Sequence, residues 1–531
     1  MSEKIYIFDT LLRDGEQGEN VSFDLTDKIA IAKKLDEFGI DYIEGGWPGS
    51  NPKAVAFFNE MKKLRLHHAR LVAFGSTRRR DTTPDTDANL KALIEAETPA
   101  VAIFGKSWDL HVKEALKVPL EENLRMVLDS VSYLKKNGKE VIFDAEHFFD
   151  GYKDNPEYAM QVLDKAVEGG ADILSLCDTN GGSLPFEIED IVKKVCQRFP
   201  GVIVGIHAHN DSGLGVANSL VAVKAGARHV QGTINGFGER TGNADLCAII
   251  PSLNLKMGFT AIEPDKLPLL TPLAHFIYEV CNLLPESKQP YVGSSAFAHK
   301  GGIHVSAVQK NPRTYEHIKP EAIGNERRIL ISELAGRSNF IAKASTFKVA
   351  ELRSDDEVKK VLSQVKDLEN RGYHFEVAEA SLEILVKKVL GEHQDFFTLD
   401  GFRVYLTKQV GQETRTEASV KLSVNQVFEH TAGEGNGPVD ALNVALRKAV
   451  EKFYPCLKTV KLIDYKVRVL NNYEGTGATV RVLITSTDGE HHWTTMGVSP
   501  NIIEASYRAL VDSIEYKLFL EEKKDKKQAG L

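Results

Sequence analysis

The run Gly201-Val202-Ile203-Val204-Gly205-Ile206-His207-Ala208-His209 joins an apolar stretch to a polar end. Its apolar, β-branched part follows Pro200 and is typical of a buried strand. The two histidines lie two positions apart at the carboxyl end of that strand, so both project from the same side of it. Imidazole suits several divalent metals, and such a pair is a reasonable metal ligand. Taken alone, the pair predicts a metal site no better than it predicts two ordinary strand-end histidines.

Similar apolar runs alternate with amphipathic helical patterns from residue 4 to about residue 250. Eight strand–helix units in about 250 residues match the size of a TIM (β/α)8 barrel. A doubly wound open sheet is the alternative, but no Gly-x-Gly-x-x-Gly follows the first strand. The predicted strands are Ile5–Phe8, Tyr42–Gly45, Leu71–Phe74, Val101–Phe104, Val141–Asp144, Ile173–Cys177, Val202–Ile206 and Val230–Ile234.

Helix boundary signals support the barrel. Asp24 is placed to cap a helix that Gly39 ends, and Asn155-Pro156 opens a helix that Gly169-Gly170 closes. The fold class predicted for the first half is therefore α/β.

The active site of a TIM barrel lies at the carboxyl ends of its strands. Tight turns also require Asp, Asn and Gly, so any single polar segment there has a structural explanation. Six such segments on one rim favour a functional site over turn chemistry alone. They are Asp9–Gln17, Glu44–Pro48, Glu146-His147, Asp178–Gly182, His207–His209 and Gly236–Asn243.

Composition narrows the class of protein. With 531 residues the chain is long enough for two to three domains. A net charge of −8 without a long basic block argues against nucleic acid as a partner. Five cysteines without a Cys-x-x-Cys pair argue against a disulfide framework and a thiolate zinc site. The chain lacks a signal-peptide pattern and any run of about 18 apolar residues, which predicts a cytoplasmic protein with no membrane span.

Three motifs carry a family resemblance: Asp9-Thr10-x-Leu12-Arg13-Asp14-Gly15-Glu16-Gln17, His207-x-His209-Asn210-Asp211 and Gly238-Glu239-Arg240-x-Gly242-Asn243-Ala244. In this order they resemble the acyl-CoA Claisen synthases of the metal-dependent DRE-TIM group, which includes 2-isopropylmalate, homocitrate and citramalate synthases. The run Arg13–Pro48, with Gly18–Ser22 and Gly45–Ser50, looks most like the citramalate synthase branch. The resemblance extends over essentially the whole chain.

The resemblance implies a set of site residues. Asp14, His207 and His209 match the family's ligands for a divalent metal (Mg, Mn, Co or Zn), and Asn243 adds an oxygen. Arg13 matches an arginine over the keto oxygen or carboxylate of a 2-oxo acid, although an ion pair with Glu44 or Glu146 is a structural alternative. Thr179 matches a hydroxyl that holds the substrate carboxylate, and Gln17 belongs to the same predicted binding set.

The resemblance also implies the catalytic residues. Glu146, His304 and Tyr315 correspond to the family's glutamate, histidine and tyrosine, and we assign them jointly to enolisation of acetyl-CoA and to hydrolysis of the acyl-CoA product. His299 and His304 flank a Gly-Gly turn, and capping that turn is the alternative for His299. Val305-Ser306-Ala307 departs from many relatives, which carry an acidic residue and glycine there.

Residues that end strands two to four are expected to set substrate size. A bulky side chain there leaves room for the methyl group of pyruvate but not for an isopropyl group, and apolar pockets supply about 1–3 kcal/mol per methylene. Trp47 has packing between helices as an alternative. The candidates are Glu44, Trp47, Phe74, Phe104, Ser107 and His111.

The second half changes character. Helical patterns at 357–366 and 379–389 predict a linker subdomain over residues 266–394 that covers the barrel mouth of its own or of a partner subunit, with Gly336–Asn339 holding it in place. Residues 395–520 alternate apolar and polar positions, as at Val420–Val424 and Val480–Ile484. Two such blocks form an internal repeat, and each is followed by a helix that opens within Gly437–Ala441 or Ser499–Ala505. A charged, frayed tail is predicted over residues 521–531.

This repeat resembles the regulatory, dimer-forming domain of the same synthases, which binds an end-product amino acid. The resemblance implies a homodimer with isoleucine as feedback inhibitor, and Gly433–Gly437 and Asn471–Gly477 as the loops nearest the ligand. Hairpin turns in a dimerisation module are the alternative. The predicted barrel occupies residues 1–265.

The function that follows is a divalent-metal-dependent condensation of acetyl-CoA with pyruvate that yields citramalate and CoA. The near alternative is 2-isopropylmalate synthase, with 2-oxoisovalerate as substrate and leucine as regulator. A retro-Claisen lyase is less favoured because the loop Gly236–Arg240 lacks the cysteine of such lyases. A biotin-dependent carboxyltransferase lacks its Met-Lys-Met site here, and a silent amino-acid sensor would not need the metal and base residues.

Overall fold

The computed structural model describes residues 2–330, 355–411, 413–470 and 477–528. The chain divides into two compact units, Met1–Phe297 with His317–Arg327, and Ala298–Glu316 with Arg328–Leu531. The segment predicted as a separate linker, residues 266–394, is divided between these units. Gly336–Asn339 lies outside the described residues.

The first unit is a closed barrel of eight parallel strands in sequence order. Closure comes from β1 beside β8, where Tyr6 pairs with His229 and Asp9 with Gly232. The barrel prediction is confirmed. Strands three, four and five extend farther at both ends than predicted, and strand eight ends at Gly232 instead of Ile234. The strands are β1 Tyr6–Asp9, β2 Tyr42–Gly46, β3 Arg70–Ser76, β4 Ala100–Lys106, β5 Glu140–Glu146, β6 Ile173–Asp178, β7 Ile203–Ala208 and β8 His229–Gly232.

Helices surround the barrel, and their ends obey local capping rules. The Asp24 side chain accepts a hydrogen bond from the Asp27 N–H, and Gly39 ends that helix with a left-handed backbone. Pro156 and Gly170 bound another helix as predicted. The helices are Leu25–Phe38, Pro52–Met61, Ala88–Glu95, Asp109–His111, Leu120–Lys136, Phe148–Asp154, Pro156–Gly169, Pro185–Arg198, Gly215–Ala225, Leu246–Ser252 and Leu270–Val280. Shorter turns of helix are Gly15–Gln17, Val112–Leu116, Ile234–Gly236, Leu253–Met257, Leu267–Leu269 and Pro320–Ile323.

Alternation along the strands divides the buried side chains into two layers. One set, including Ile7, Ile43 and Val101, packs with the helices in a large core. A smaller separate cluster includes Phe8, Tyr42 and Val72. Because successive strand residues point to opposite faces, this second cluster fills the barrel interior.

The second unit contains two copies of one arrangement, a three-stranded antiparallel sheet followed by a helix. The internal repeat is therefore confirmed. The first copy has strands Thr398–Thr407, Arg415–Val424 and Val427–Gly435 with helix Pro438–Val450. The second copy has strands Lys461–Val469, Val480–Thr487 and His492–Ser499 with helix Ile502–Gln528. The unit also holds strands Ala298–His299 and Arg328–Ile329, helices Gly302–Lys310, Asp355–Asn370 and Glu379–Leu390, and turns Pro312–Thr314 and Pro455–Thr459.

The expectation of a frayed end is wrong for the last helix. This helix begins at Ile502, within the predicted opening Ser499–Ala505, and the Asn501 side chain accepts hydrogen bonds from the N–H groups of Ile503 and Glu504. It also continues through the predicted tail to Gln528. Lys523 contacts Glu383 at 2.6 Å, and Lys and Glu are good helix formers, so charge alone did not mark a frayed end.

Among the described residues, every helix falls short of the length and apolar character that crossing a membrane requires.

Candidate active site

A cavity of about 270 Å³ opens at the carboxyl ends of the barrel strands. All six predicted rim segments contribute side chains to it directly, and Glu44, from the same segment as Trp47, pairs with Arg13. The side chains that line it are Arg13, Asp14, Gln17, Trp47, Phe74, Phe104, Asp144, Glu146, Cys177, Thr179, His207, His209, Glu239 and Arg240.

Buried polar contacts fix the loop after β1, which carries Arg13, Asp14 and Gln17. The Asp9 carboxylate accepts hydrogen bonds from the N–H groups of Leu11 at 2.9 Å and Ile234 at 3.0 Å. Burial raises the pKa of Asp9 to about 7, against these hydrogen bonds. On the other side of the loop, the ammonium of buried Lys28 donates to the Leu12 carbonyl at 2.8 Å. The loop is therefore held before any ligand binds.

Asp14, His207 and His209 converge, although they lie far apart in sequence. One ligand atom from each lies within 4.8 Å of the others. His207 Nε2 is 3.4 Å from Asp14 Oδ2 and 3.3 Å from His209 Nε2. All three residues are buried. One carboxylate and two imidazoles in this arrangement suit a divalent transition metal or magnesium.

A second layer of side chains orients His207. Its Nδ1 lies 2.9 Å from Gln231 Oε1, and Gln231 Nε2 donates to Asp144 Oδ1 at 2.8 Å. Since the amide oxygen only accepts, Nδ1 carries the proton and Nε2 presents its lone pair to the cluster. Sequence reasoning missed Gln231 and Asp144. The available signal was a polar residue within an otherwise apolar strand, since a buried polar group requires a partner.

Asn243 provides a further test of the metal fit. It pairs with His209 in an isolated β-bridge, and its Nδ2 donates to the Phe237 carbonyl at 3.1 Å. Its Oδ1 is buried and has no hydrogen-bond partner among the described residues. A buried carbonyl oxygen on the residue that pairs with His209 fits an additional metal ligand. Gly242, at φ +93°, allows this loop to turn, because a Cβ there would lie 2.0 Å from the Gly236 carbonyl oxygen.

Electrostatics keep Asp14 and His209 in the forms that bind a cation. Burial opposes ionisation of Asp14, but the Arg13 charge and the His207 hydrogen bond hold its pKa well below the usual value. Burial, together with the His207 charge, lowers the pKa of His209 to about 4. At neutral pH the carboxylate is therefore charged and the His209 imidazole is neutral, as metal ligands must be.

Arg13 forms the ion pair with Glu44 that the sequence analysis left as a structural alternative. Its Nε donates to Glu44 Oε2 at 2.6 Å, and its guanidinium carbon lies 3.9 Å from the centre of the Phe74 ring. Glu44 is fully buried, and burial raises its pKa to about 7 against the Arg13 charge. This pair orients the guanidinium beside Asp14, with Nη1 at 3.6 Å from Oδ2, and it still lines the cavity.

Aromatic rings form one wall of the cavity. Trp47 meets Phe74 and Phe104 edge-to-face with ring centres 5.7 Å apart, and those two phenyl rings stack at 5.6 Å. The Trp47 indole N–H donates to Asn89 Oδ1 at 2.7 Å. Trp47 therefore lines the cavity and does not pack between helices. Such a rigid apolar wall limits the size of a side group placed beside it.

Two of the predicted size-determining residues have other contacts. Ser107 is fully buried and its hydroxyl donates to the Glu146 carbonyl at 2.6 Å. The His111 ring stacks on Trp108 at 5.2 Å and lies 4.2 Å from the His147 ring. Both follow the end of β4, where strand alternation no longer dictates side-chain direction. Neither belongs to the cavity wall.

Glu146 and Thr179 lie on the rim as predicted. The Glu146 carboxylate pairs with Lys106, and both Glu146 and Thr179 line the cavity. Thr179 Oγ1 accepts the His147 N–H at 2.9 Å, and its carbonyl accepts a hydrogen bond from Arg240 at 2.8 Å. The Thr179 hydroxyl proton is thus available for a substrate oxygen.

His304 and Tyr315 belong to the second unit, where they form a pair. Their rings stack with centres 4.1 Å apart, and both side chains are exposed. His299 makes a different contact, since its Nε2 lies 3.1 Å from buried Glu316. His299 is thus structural in this unit, and His304 and Tyr315 present a joint polar surface. The catalytic roles of Glu146, His304 and Tyr315 stay predictions.

Family models match three consecutive parts of the chain. The HMGL-like model matches residues 4–268, the homocitrate synthase post-HMGL domain-like model residues 291–373, and the LeuA allosteric (dimerisation) domain model residues 376–518. These matches define an HMGL-like barrel with a LeuA-type C-terminal domain, as the resemblance predicted.

Whole-chain relatives narrow the class. The chain is 59% identical to an (R)-citramalate synthase of Aquifex aeolicus over 98% of its own length and 99% of that protein. It is 57% identical to one of Geobacter sulfurreducens, with 97% of both covered. A 2-isopropylmalate synthase of Methanocaldococcus jannaschii is 32% identical, with 98% of this chain and 96% of that protein covered. The chain belongs to the (R)-citramalate synthase family, and the predicted acyltransferase class and branch are confirmed.

Proposed function

We propose that the barrel site condenses acetyl-CoA with pyruvate, using a divalent metal held by Asp14, His207 and His209, with Asn243 Oδ1 as a further ligand. The observation that carries this proposal is the convergence of the three ligand atoms within 4.8 Å on the cavity wall. When bound, such a metal supplies Lewis-acid polarisation of a carbonyl group.

Arg13 and Thr179 are the groups that hold the 2-oxo acid in this proposal. The Arg13 guanidinium is planar and always charged, so it binds a carboxylate or a developing alkoxide at two oxygens. The ion pair with Glu44 holds it in place. The free Thr179 hydroxyl donates to the substrate carboxylate. The pyruvate methyl group then faces the rings of Trp47, Phe74 and Phe104.

The first chemical step removes a proton from the methyl group of acetyl-CoA. Glu146, His304 and Tyr315 share this step in our proposal, with Glu146 on the barrel rim and the other two paired in the second unit. The enolate carbon forms a bond to the keto carbon of pyruvate, and the resulting alkoxide takes up a proton. Water then adds to the thioester carbonyl carbon, and the carbon–sulfur bond breaks. CoA leaves as a thiol that carries one proton of the water.

An assay of thiol release with a panel of 2-oxo acids tests this function. Purified protein with Mn²⁺ or Mg²⁺ and acetyl-CoA should release CoA fastest with pyruvate, judged by kcat/KM. 2-Oxobutanoate and 2-oxoisovalerate are the larger competitors, since each adds carbon to the group facing the aromatic wall. A higher kcat/KM with 2-oxoisovalerate would overturn the substrate assignment.

The second unit supports regulation by an amino acid, and we propose isoleucine. The LeuA-type model is described as allosteric. Glu434, predicted to lie in a loop at Gly433–Gly437 but found near the end of strand Val427–Gly435, lines a cavity of about 320 Å³ with Arg415 and Glu417. Carboxylates and a guanidinium together suit the two charged ends of an amino acid. The other predicted loop, Asn471–Gly477, lies outside the described residues except for Gly477.

Isoleucine titration of the thiol assay tests the regulatory proposal. Isoleucine should inhibit, leucine should act only at higher concentration, and Glu434→Gln should weaken inhibition without changing uninhibited turnover. Glu429→Gln is the matched control, because Glu429 lies on the same strand and pairs with Lys452. Equal inhibition of the Glu434→Gln variant would refute the assignment of this cavity.

The second unit has exposed apolar side chains, which include Leu406, Phe428 and Ile463. These side chains support a homodimer. Clusters of exposed apolar residues on sheet edges mark interaction surfaces. The cytoplasmic location inferred from composition stays a prediction.

A further inference from the structure

A second group of potential metal ligands lies in the second unit. One ligand atom each of His393, Asp395 and Glu515 lies within 4.8 Å of the others. His393 and Asp395 belong to the segment that leads into the first strand of the repeat, and Glu515 lies on the last helix, Ile502–Gln528. Residues from both ends of this unit therefore meet at one point.

The distances within this group fit a single bound ion. His393 Nε2 is 3.0 Å from Asp395 Oδ1 and 3.7 Å from Glu515 Oε1. Zinc binds nitrogen and oxygen at about 2.0–2.2 Å, so two of its ligand atoms at a tetrahedral angle lie roughly 3.3 Å apart. Small shifts of the two carboxylates bring both pairs to that separation.

The histidine is buried without hydrogen bonds to either of its ring nitrogens. The His393 side chain is only 7% exposed, and the Phe519 ring meets it edge-to-face with ring centres 5.6 Å apart. Within the described part of the chain, neither Nδ1 nor Nε2 has a partner at hydrogen-bond geometry, and the same is true of Glu515 Oε2. A buried polar atom without a partner costs free energy, and a bond from Nε2 to a metal ion removes that cost for one nitrogen.

The charge of the group also favours a cation. Asp395 and Glu515 bring two carboxylates to the neutral imidazole. Lys388 lies 3.1 Å from Glu515 Oε2, on the oxygen that does not face His393, and compensates one of these charges. The second negative charge is left for a cation between Nε2 and the two carboxylates.

We propose that His393, Asp395 and Glu515 bind a divalent transition-metal ion of the zinc type. One imidazole nitrogen and two carboxylate oxygens are a donor set that such ions accept, and water completes the coordination. The Asp395 side chain is 77% exposed, so the ion reaches this site from solvent. The bound ion links the segment before the first copy of the repeat to the helix that ends the second copy. This site is independent of the reaction proposed for the barrel.

Calorimetric titration of the full chain with Zn²⁺ tests this proposal. His209→Ala is the background, because it removes a ligand from the candidate barrel site. One Zn²⁺ per chain should bind to this protein at the second group. Loss of a partner that only orients a ligand weakens metal binding by about 10–100-fold, so His393→Ala in the same background should raise the Kd at least about a hundredfold.

His491→Ala in that background is the matched control. His491 also lies beside a carboxylate, with Nδ1 3.4 Å from Asp488 Oδ2. It belongs to neither group of three ligand atoms found among the described residues. Its removal should therefore leave the Kd for Zn²⁺ unchanged.

Asp395→Ala guards against a loss of binding that comes from misfolding. Its side chain is mostly exposed, so its removal should not change the Tm of the metal-free protein. It should raise the Kd for Zn²⁺ at least about tenfold. Added Zn²⁺ should raise the Tm of the His209→Ala protein and raise it less when Asp395→Ala is also present, because an ion that binds only the folded state stabilises it.

Equal affinity for Zn²⁺ in the His393→Ala and His491→Ala proteins would overturn the proposal. An unchanged Kd in the Asp395→Ala protein would also overturn it. A His209→Ala protein that binds no Zn²⁺ would show instead that His393 is a protonated ion-pair partner of the two carboxylates. These measurements do not use turnover, so failure of the proposed barrel reaction would not change their outcome.

Discussion

At the scale of single residues, the chemistry depends on side chains whose orientation is fixed by partners that take no part in it. Gln231 and Asp144 fix the tautomer of His207, Glu44 fixes Arg13, and Lys28 fixes the loop that carries Asp14. Such outer partners typically change metal affinity by about 10–100-fold when they are removed.

We expect His209→Ala to abolish turnover and to lower the metal content of the purified protein. The substitution removes one of the two proposed imidazole ligands, and the remaining carboxylate, imidazole and amide oxygen hold a cation weakly. Thiol release and metal per chain by mass spectrometry measure both effects. His67→Ala, at an exposed histidine, is the control and should retain full metal. A His209→Ala protein with one metal per chain and normal turnover would disprove the site.

Gln231→Leu should have a graded effect. Leucine has a similar size but cannot accept a hydrogen bond from His207 Nδ1–H, so the imidazole loses its fixed tautomer. The Kd for the metal should rise about 10–100-fold. Metal titration followed by calorimetry measures it, with exposed Gln197→Leu as control. The idea fails if both variants bind metal equally well.

Phe104→Ala should widen the choice of substrate. Removing one ring of the aromatic wall leaves space beside the position assigned to the pyruvate methyl group. The kcat/KM ratio of 2-oxobutanoate to pyruvate should rise roughly tenfold. Phe186→Ala, at a side chain 67% exposed, is the control. An unchanged ratio would show that this wall does not select by size.

At the scale of helices and strands, much of the fold was predictable because local signals agree with it. Asp24, Gly39 and Pro156 mark helix ends by capping chemistry, and the structure confirms them. The site residues on the rim were predictable from their place after each strand. Gln231 was not, because a single polar residue inside a strand has no spacing pattern that identifies its partner. His111 was predicted to line the cavity and does not, because side chains stop alternating between the two faces where the strand ends.

The last helix shows a further limit of sequence reasoning. Its charged end contacts other elements of its unit, as Lys523 does with Glu383 and Lys517 does with Asp488 at 2.7 Å. These partners are far away in sequence, so composition alone predicted a frayed tail. Tertiary ion pairs and helix propensity together keep the segment helical.

Asp512 on this helix gives a pH-dependent prediction. Burial raises its pKa to about 7, although Ser381 donates a hydrogen bond to it at 2.5 Å. The folded state therefore binds a proton more tightly than the unfolded state, so stability is greatest below pH 4 for this group. It falls as pH rises from about 4 to about 7. Asp512→Asn should raise the free energy of unfolding at pH 8 by roughly 1–4 kcal/mol.

Urea unfolding at pH 5 and pH 8 measures this effect. The gain should be larger at pH 8, because the aspartate is then charged inside the unit. Asp356→Asn, at a side chain 84% exposed, is the control and should change neither value. A gain of equal size at both pH values would show that burial of a charge is not the cause.

At the scale of the whole molecule, the internal repeat leaves four outer strands that are each paired on one side only within the described residues, and two of them are Thr398–Thr407 and Lys461–Val469. Leu462, Ile463, Val467 and Val469 are all more than 40% exposed on the second of these. An apolar edge strand of this length is a site for pairing with another chain.

Ile463→Lys/Val467→Lys should therefore weaken the homodimer. Burying two unpaired ammonium groups at an apolar contact costs more free energy than burial of that contact provides. Sedimentation should show the mass fall from two chains toward the single-chain value of 58.8 kDa. Lys458→Ser, an exposed position before this strand, is the control. A variant that stays dimeric would place the contact elsewhere.

Closure of the barrel through β1 and β8 also has a consequence for synthesis on the ribosome. Because Tyr6 pairs with His229, the barrel cannot close until more than two hundred residues have left the ribosomal exit tunnel. Until then, one edge of the first strand is unpaired, and an unpaired strand edge promotes aggregation of nascent chains. The proposed metal ligands Asp14 and His207 also meet only near the end of that interval. An emerging chain therefore completes the candidate metal site and pairs the free edge of its first strand at almost the same stage of synthesis.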